Sequence, residues 1–239
     1  MNLLLFEHHE VTQDSKLVVS GRRATHLRKV LKVAPGKVLR VGMLGGMIGE
    51  GVVEEVGQDS VRLHVEVHES PPAAINVRVV LALPRPRVFR RVLASLVSFG
   101  VKEIAVVGAN RTEKSYWHSP ILNPESIHSI CLEGLEQSRD TLLPSIHWSK
   151  RFRPFVEDTA PVFSKGTRKL LCHPGETSGC PSNIQGSVTV AMGPDGGWVP
   201  FEVDCFVAQG FEPVSLGPQI LRVETAVNAV VGRLALWES

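Results

Sequence analysis

Cysteine is scarce in this sequence. Four cysteines stand among 239 residues (Cys131, Cys172, Cys180, Cys205) and no two form a CxxC pair. That argues against a disulfide framework or a zinc ribbon, and it fits a reducing, cytoplasmic setting. Long apolar runs are missing as well: nothing approaches the ~18 residues of a membrane helix. The opening "MNLLLFEHHE" has no basic flank, no long apolar core and no cleavage site, so no signal peptide is expected. Neither sign of charge is in excess. The formal net charge is +2, so any basic surface has to be local. Two nucleotide signatures are also absent. Without GxxxxGK[ST] a nucleoside triphosphate is disfavoured, and without GxGxxG after an early strand a nicotinamide cofactor is disfavoured. There is no internal repeat and no low-complexity tract.

What is present is an ordinary globular composition, 43% hydrophobic and 21% charged, enough for one large or two small domains with a packed core. The pattern changes near residue 70. "KVLRVGMLGG", "MIGEGVVEEV" and "DSVRLHVEVHE" read as strands. Val61, Leu63, Val65 and Val67 alternate with Arg62, His64 and Glu66, the period of a half-buried strand. Gly45-Gly46 marks a hairpin turn, and a basic helix, "RRATHLRKVLK", precedes the strands. A small β-barrel-like domain is expected over residues 1–70, with "ESPPAAIN" as the linker.

From residue 75 onward strands alternate with helices. "INVRVVLAL", "EIAVVGA", "RKLLCH", "SVTVAMG" and "EPVSLG" read as strands. "RVFRRVLASLVSFG" reads as a helix whose Val88, Val92, Leu93, Leu96 and Val97 make one apolar face. "NPESIHSICLEGLEQSR", with Asn123 as N-cap and Pro124 in the first turn, "VPFEVDCFVAQG" and "RVETAVNAVVGRLALW" complete the helices. Such alternation predicts an α/β domain with a parallel sheet over 75–239.

In open α/β sheets ligands bind at the carboxyl ends of strands. Two such ends are unusual: "GPDGG" after "SVTVAM", and "LGPQILRVETA" after "EPVS". Glycines there permit close backbone approach to a ligand, or mark ordinary tight turns. Cys172, His173 and Cys180 match no standard zinc spacing, so no metal is expected. Residues 21–40 carry Arg22, Arg23, Arg28, Lys29, Lys32, Lys37 and Arg40 without an acid. Residues 84–102 carry Arg85, Arg87, Arg90, Arg91 and Lys102 without an acid. These runs are either solvated faces or phosphate-tracking surfaces.

"MGPDGGW" followed by "VSLGPQILRVETA" resembles the small-subunit ribosomal RNA uridine-N3 methyltransferases, the RsmE family, within the SPOUT class. The family pattern has Glu where Asp195 stands. "GRRATHLRKVLKVAPGKVLRVG" resembles the family's N-terminal PUA-like RNA-binding domain, and "GLEQSRD" its central-helix motif. "SFG" departs from the "ELG" that many members carry in the preceding helix. The resemblance implies a C-terminal trefoil-knotted parallel-sheet domain beside a PUA-like β-barrel. It implies S-adenosyl-L-methionine as cofactor, 16S ribosomal RNA or the small ribosomal subunit as partner, and a homodimer.

The cofactor would be held by three loop ends. His173 belongs to the first, or is only the polar end of a strand. Gly193, Pro194, Gly196 and Gly197 form the second, and Leu216, Gly217, Ile220 and Leu221 the third. Arg222 and Glu224 are the candidate catalytic pair. Arg222 would stabilise charge on the uracil oxygens and Glu224 would accept the N3 proton, although a glutamate in a helix's first turn is also favoured by the helix dipole. Arg22, Arg23, His26, Arg28, Arg85 and Arg87 are the candidate RNA contacts. The alternative reading is an RNA-binding protein of the same fold without activity.

Overall fold

The computed structural model describes residues 2–174, 178–182 and 184–235. These form two compact units. One runs to Ala73 and adds Leu135–Leu143; the other takes Ala74–Gly134 and the chain from Pro144 onward.

In chain order the first unit contains β1 (Leu4–Phe6), β2 (Lys16–Ser20), α1 (Gly21–Lys29), β3 (Val38–Met43), β4 (Ile48–Val56) and β5 (Ser60–Glu69). The strands form one mixed sheet in the order β1-β3-β4-β5-β2, with β1 parallel to β3 and the other pairs antiparallel. Alternation decides which face is buried. Val61, Leu63 and Val65 of β5 are inside while Arg62 and Glu66 point out, and Leu17 and Val19 of β2 repeat the pattern. These side chains pack with Leu27 of α1 and Val41 of β3 into one apolar core.

The segment Leu135–Leu143 is stitched into this unit by main-chain bonds. The amides of Asn2 and Leu3 donate to the Glu136 carbonyl at 3.2 and 3.1 Å, and the Gly45 amide donates to the Thr141 carbonyl at 2.8 Å. The Thr141 hydroxyl donates back to the Gly46 carbonyl at 2.5 Å. Neither β1 and β2 nor this added segment was expected from the sequence pattern.

The second unit contains β6 (Val77–Ala82), α2 (Pro86–Ser98), β7 (Glu103–Val107), α3 (Pro124–Ser138, whose last turn is counted with the first unit) and β8 (Ser145–Ser149). After two helical turns, α4 (Phe152–Pro154) and α5 (Ala160–Phe163), come β9 (Arg168–Cys172), β10 (Val188–Met192), α6 (Pro200–Ala208), β11 (Glu212–Val214) and α7 (Val223–Leu234). Its six strands are all parallel, in the order β11-β9-β10-β6-β7-β8. Their near-continuous apolar runs, such as the fully buried "VTVAM" of β10, are what a parallel sheet covered by helices requires.

The apolar face of α2 is formed by Phe89, Val92, Leu93, Leu96 and Val97. Phe89 replaces the expected Val88, which is only half-buried. Against Val80, Ala105, Leu171 and Ala191, on one face of the sheet, Phe155, Trp198, Phe206 and Phe211 pack together, with Trp198 and Phe206 ring centroids 5.1 Å apart. The expected last helix ends at Leu234; the end of its predicted run, from residue 236, lies outside the described residues.

A single buried carboxylate holds two loops of this unit together. Glu202, 1% exposed, accepts from the Asn110 amide at 2.6 Å and from the Val199 amide at 3.0 Å. It thus ties the connection after β7 to the N-terminus of α6. Glu202→Ala removes the acceptor of both amides. A hydrogen bond of this kind contributes roughly 0.5–1.5 kcal/mol, so thermal unfolding should show a clear loss for Ala and a smaller one for Gln, which keeps one acceptor. Equal melting temperatures for wild type and Ala would refute this anchoring role.

Candidate active site

Three neighbouring strands of the parallel sheet end in one row. Met192 of β10 pairs with Cys172 of β9, and Cys172 pairs with Val214 of β11. Their outgoing connections therefore leave the sheet at one level, at its carboxyl edge. They enclose a cavity of about 410 Å³, within the size of small-molecule sites. The connections also bind each other: the Ser215 amide donates to the Ser178 carbonyl, and the Cys180 amide to the Ser215 carbonyl, both at 2.8 Å. The chain after β9 is thereby laid along the chain after β11.

Each candidate cofactor residue lines this cavity. His173 enters at the end of β9, with its Nδ1 2.8 Å from the Pro174 carbonyl. Gly193, Pro194, Gly196 and Gly197 form the wall after β10, and Leu216, Gly217, Ile220 and Leu221 the wall after β11. "GPDGG" is both a tight turn and a cavity wall. The Gly197 amide donates to the Pro194 carbonyl at 2.8 Å, and Gly197 has φ +72°, where a β-carbon is strained. Gly217 stands at φ +129°, in a turn that the Ser215 hydroxyl closes with its amide at 3.2 Å and its carbonyl at 3.0 Å.

Two residues of the cavity were not among the site residues expected from the sequence, although Trp198 closes the "MGPDGGW" motif. The first is Trp198, only 3% exposed. The residue lines the cavity, and its indole Nε1 is buried without a hydrogen-bond partner. A β-carbon on Gly193 would lie 3.2 Å from that nitrogen, so the glycine lets the turn pack closely against the indole. A buried N–H without an acceptor is costly. The second is Arg111, from the connection after β7, which lines the cavity and donates to the Gly196 carbonyl. A β-carbon on Gly196 would lie 2.8 Å from its Cδ.

Arg222 is the N-cap of α7 and is exposed, immediately after the cavity wall. Glu224 lies in the first turn of that helix, and its carboxylate accepts from Arg91 of α2 at 2.9 Å. Its own backbone amide, then the Arg91 guanidinium, then the Arg222 charge hold its carboxyl below the ordinary range. Glu224 is thus a carboxylate at neutral pH and a weak base.

The candidate RNA residues fall in both units. Arg22 is exposed on α1. Arg23 is partly buried, paired with Glu10 and bonded to the Leu5 carbonyl at 2.8 Å. Arg28 donates to the Gln58 carbonyl, and His26 has its Nε2 buried without a partner. In the other unit Arg85 sits 3.6 Å from Asp195 of the cavity wall, and Arg87 is exposed on α2. Among the described residues no cluster of His, Cys, Asp and Glu is arranged to hold a metal, and no helix is long and apolar enough to cross a membrane.

A family model described as RNA methyltransferase domain matches residues 71–235, which sets the class: an RNA methyltransferase. The ribosomal RNA small subunit methyltransferase E of Treponema pallidum (strain Nichols) is 30% identical over 235 residues, covering 96% of this chain and 88% of that protein. The protein of the same name from Synechocystis is 28% identical over 238 residues, covering 95% and 75%. The crystal structure of a ribosomal RNA small subunit methyltransferase E from Neisseria gonorrhoeae, bound to S-adenosyl methionine, superposes with a TM-score of 0.76 at 19% identity, covering 96% and 95%. The chain belongs to the ribosomal RNA small subunit methyltransferase E family, with its SPOUT α/β fold and N-terminal barrel-like domain.

The Arg91–Glu224 pair has a definite pH signature. Because the folded carboxyl titrates below its ordinary value of 4.5, the pair's stabilisation is present above that value. It is lost as pH falls through the lower folded value. The pair is partly exposed, so its worth stays under about 1 kcal/mol. Wild type should exceed Arg91→Ala in denaturant stability from neutral pH down to the ordinary carboxylate range, and the gap should close below it. A gap that stays constant into strong acid would show that the carboxylate is not the partner.

Proposed function

We propose that this enzyme transfers a methyl group from S-adenosyl-L-methionine to N3 of a specific uridine in 16S ribosomal RNA, with the cofactor held in the cavity at the strand ends. The observation that carries the reading is the in-register ending of β9, β10 and β11 around a cavity walled by the glycine-rich turn after β10 and the connection after β11. The residues fit such a ligand. The glycines at 193, 196 and 197 leave room against the main chain. Leu216, Gly217, Ile220 and Leu221 offer apolar surface and main-chain groups to a flat base. His173, Pro194 and Trp198 supply the remaining edge. S-Adenosylmethionine supplies a methyl group activated by its sulfonium, so the protein's task is alignment more than covalent chemistry.

The acceptor makes a second demand. N3 of uridine bears a proton that must leave, and the resulting charge spreads to two carbonyl oxygens. Arg222, at the positive end of α7, has a planar fork of donors suited to those oxygens. Glu224, already ionised, accepts the proton directly or through water. Its low basicity puts most of the stabilising burden on Arg222. Arg22, Arg23, His26, Arg28, Arg85 and Arg87 bind the RNA. Arg22 and Arg87 are exposed, while Arg23 and Arg28 also brace their own unit. The enzyme works in the cytoplasm as a homodimer. The 85% exposure of the apolar Ile220 at the cavity rim is consistent with cover from a ligand or a second subunit.

Two variants test the assignment. Gly197→Val places a branched side chain at a positive φ against the cavity. Calorimetry should find cofactor binding abolished while circular dichroism stays native; unchanged affinity in a folded variant would move the cofactor elsewhere. Arg222→Lys keeps the charge and removes the fork. Single-turnover methylation at saturating cofactor should slow by roughly 100-fold, with melting temperature and RNA affinity near wild type. Near-normal turnover, or a loss wholly explained by unfolding, would strike Arg222 from the mechanism.

A further inference from the structure

We infer that Trp148 and Trp117 form a stacking platform for an unpaired base of the RNA substrate, with Lys150 engaging an adjoining phosphate. The inference deepens the RNA methyltransferase reading and rests on it.

Trp148 lies on β8, the outermost strand of the six-stranded sheet. It is 42% exposed, an unusual amount for so large an apolar side chain in a folded protein. Its position is nevertheless fixed. The ring leans on the fully buried Phe89 of α2, with centroids 5.8 Å apart at 59°. The Trp117 ring meets it edge-on, with centroids 6.4 Å apart at 75°. Trp117 sits in the helical turn Lys114–His118. The Lys150 ammonium stands 6.0 Å from the Trp117 ring centroid. The result is a preorganised aromatic surface with a cation beside it.

Charge decides what this surface takes. The segments "KSYWH" at 114–118 and "HWSK" at 147–150 bring Lys114 and Lys150, and Arg151 follows directly; the neighbouring acids are engaged, Glu113 by the Tyr116 hydroxyl at 2.8 Å and Glu103 by His147 at 3.6 Å. Lysine is depleted in the cores of protein–protein contacts. An aromatic face flanked by cations is instead the recurring arrangement for single-stranded nucleic acid. Continuity with the active site points the same way. The connection after β7 first carries Arg111 to the cavity wall and then carries Trp117 to the platform. A uridine presented for methylation at N3 must leave its base pair and stack. Its neighbours lose stacking partners as it does so, and an exposed indole replaces one.

The test uses the full-length protein, a labelled single-stranded oligoribonucleotide spanning the methylated uridine, and a methylation assay on small-subunit RNA. Trp148→Leu keeps an apolar side chain on Phe89 but removes the aromatic face. Its RNA dissociation constant should rise about tenfold, with cofactor affinity unchanged. Trp148→Phe should recover most of the loss. Lys150→Ala should lower the salt dependence of binding by about one phosphate. Wild-type RNA affinity in a folded Trp148→Leu would overturn the platform while leaving methylation by the wild type intact. An intact platform effect without methylation by the wild type would instead overturn the proposed activity. Loss of self-association in Trp148→Leu, without loss of RNA affinity, would make the patch a protein contact and also overturn the inference.

Discussion

Everything at the active site depends on one register. Because Met192, Cys172 and Val214 face one another across adjacent parallel strands, three connections begin at the same height. Parallel strands satisfy each other's main-chain groups along their length, and that ladder ends abruptly at the sheet edge. Beyond it the connections must find other partners. They find them in each other, through Ser178, Cys180 and Ser215, and in α7, where Arg233 donates to the Cys180 carbonyl at 2.6 Å. The cavity is the space left where three chains turn away from one edge without separating. A slip of one residue in β9 would turn its inward side chains outward and displace one wall of the cavity.

The electrostatics around this edge are organised by α2 and the loop after β7. Arg91 holds Glu224, Arg85 faces Asp195, and Arg111 grips the Gly196 carbonyl. Three arginines from elements remote in sequence thereby brace the acidic and carbonyl groups of the walls. The local charge is more nearly balanced than the acid-free stretches suggest, because their acids arrive from elsewhere in the chain. Cys172, at the floor of the cavity, has its thiol pushed well up by burial and is not a nucleophile at neutral pH.

What the sequence disclosed and what it hid follow from range. Alternation in β5 and the apolar stripe of α2 are local periodicities, and both were legible. So were the cavity walls: Gly197 and Gly217 hold backbone angles that their own positions demand. Features that depend on partners far along the chain were not. Arg111 meets Gly196 across 85 residues, and Glu202 meets Asn110 across 92. The "SIHWS" of β8 is a strand because β7 lies beside it, register Val106 to Trp148, and its own residues lack a buried run. The "RFRPFVEDTAPVF" stretch hides its helical turns because Pro154 and Pro161 interrupt any period.

The nine residues from Leu135 to Leu143 set an order of events during synthesis. The sheet of β1 to β5 is complete in the chain once Glu69 has emerged. The carbonyl partners of the Leu3 and Gly45 amides belong to Glu136 and Thr141, which the ribosome adds only after β6, α2 and β7 have passed. The N-terminal unit must therefore wait, open along one seam, while the first segment of the other unit, Ala74–Gly134, is being made. A protein cut at the proline-containing stretch after Glu69 would release a sheet with that seam permanently unclosed, so the N-terminal unit of this enzyme is not a cassette that can be moved on its own.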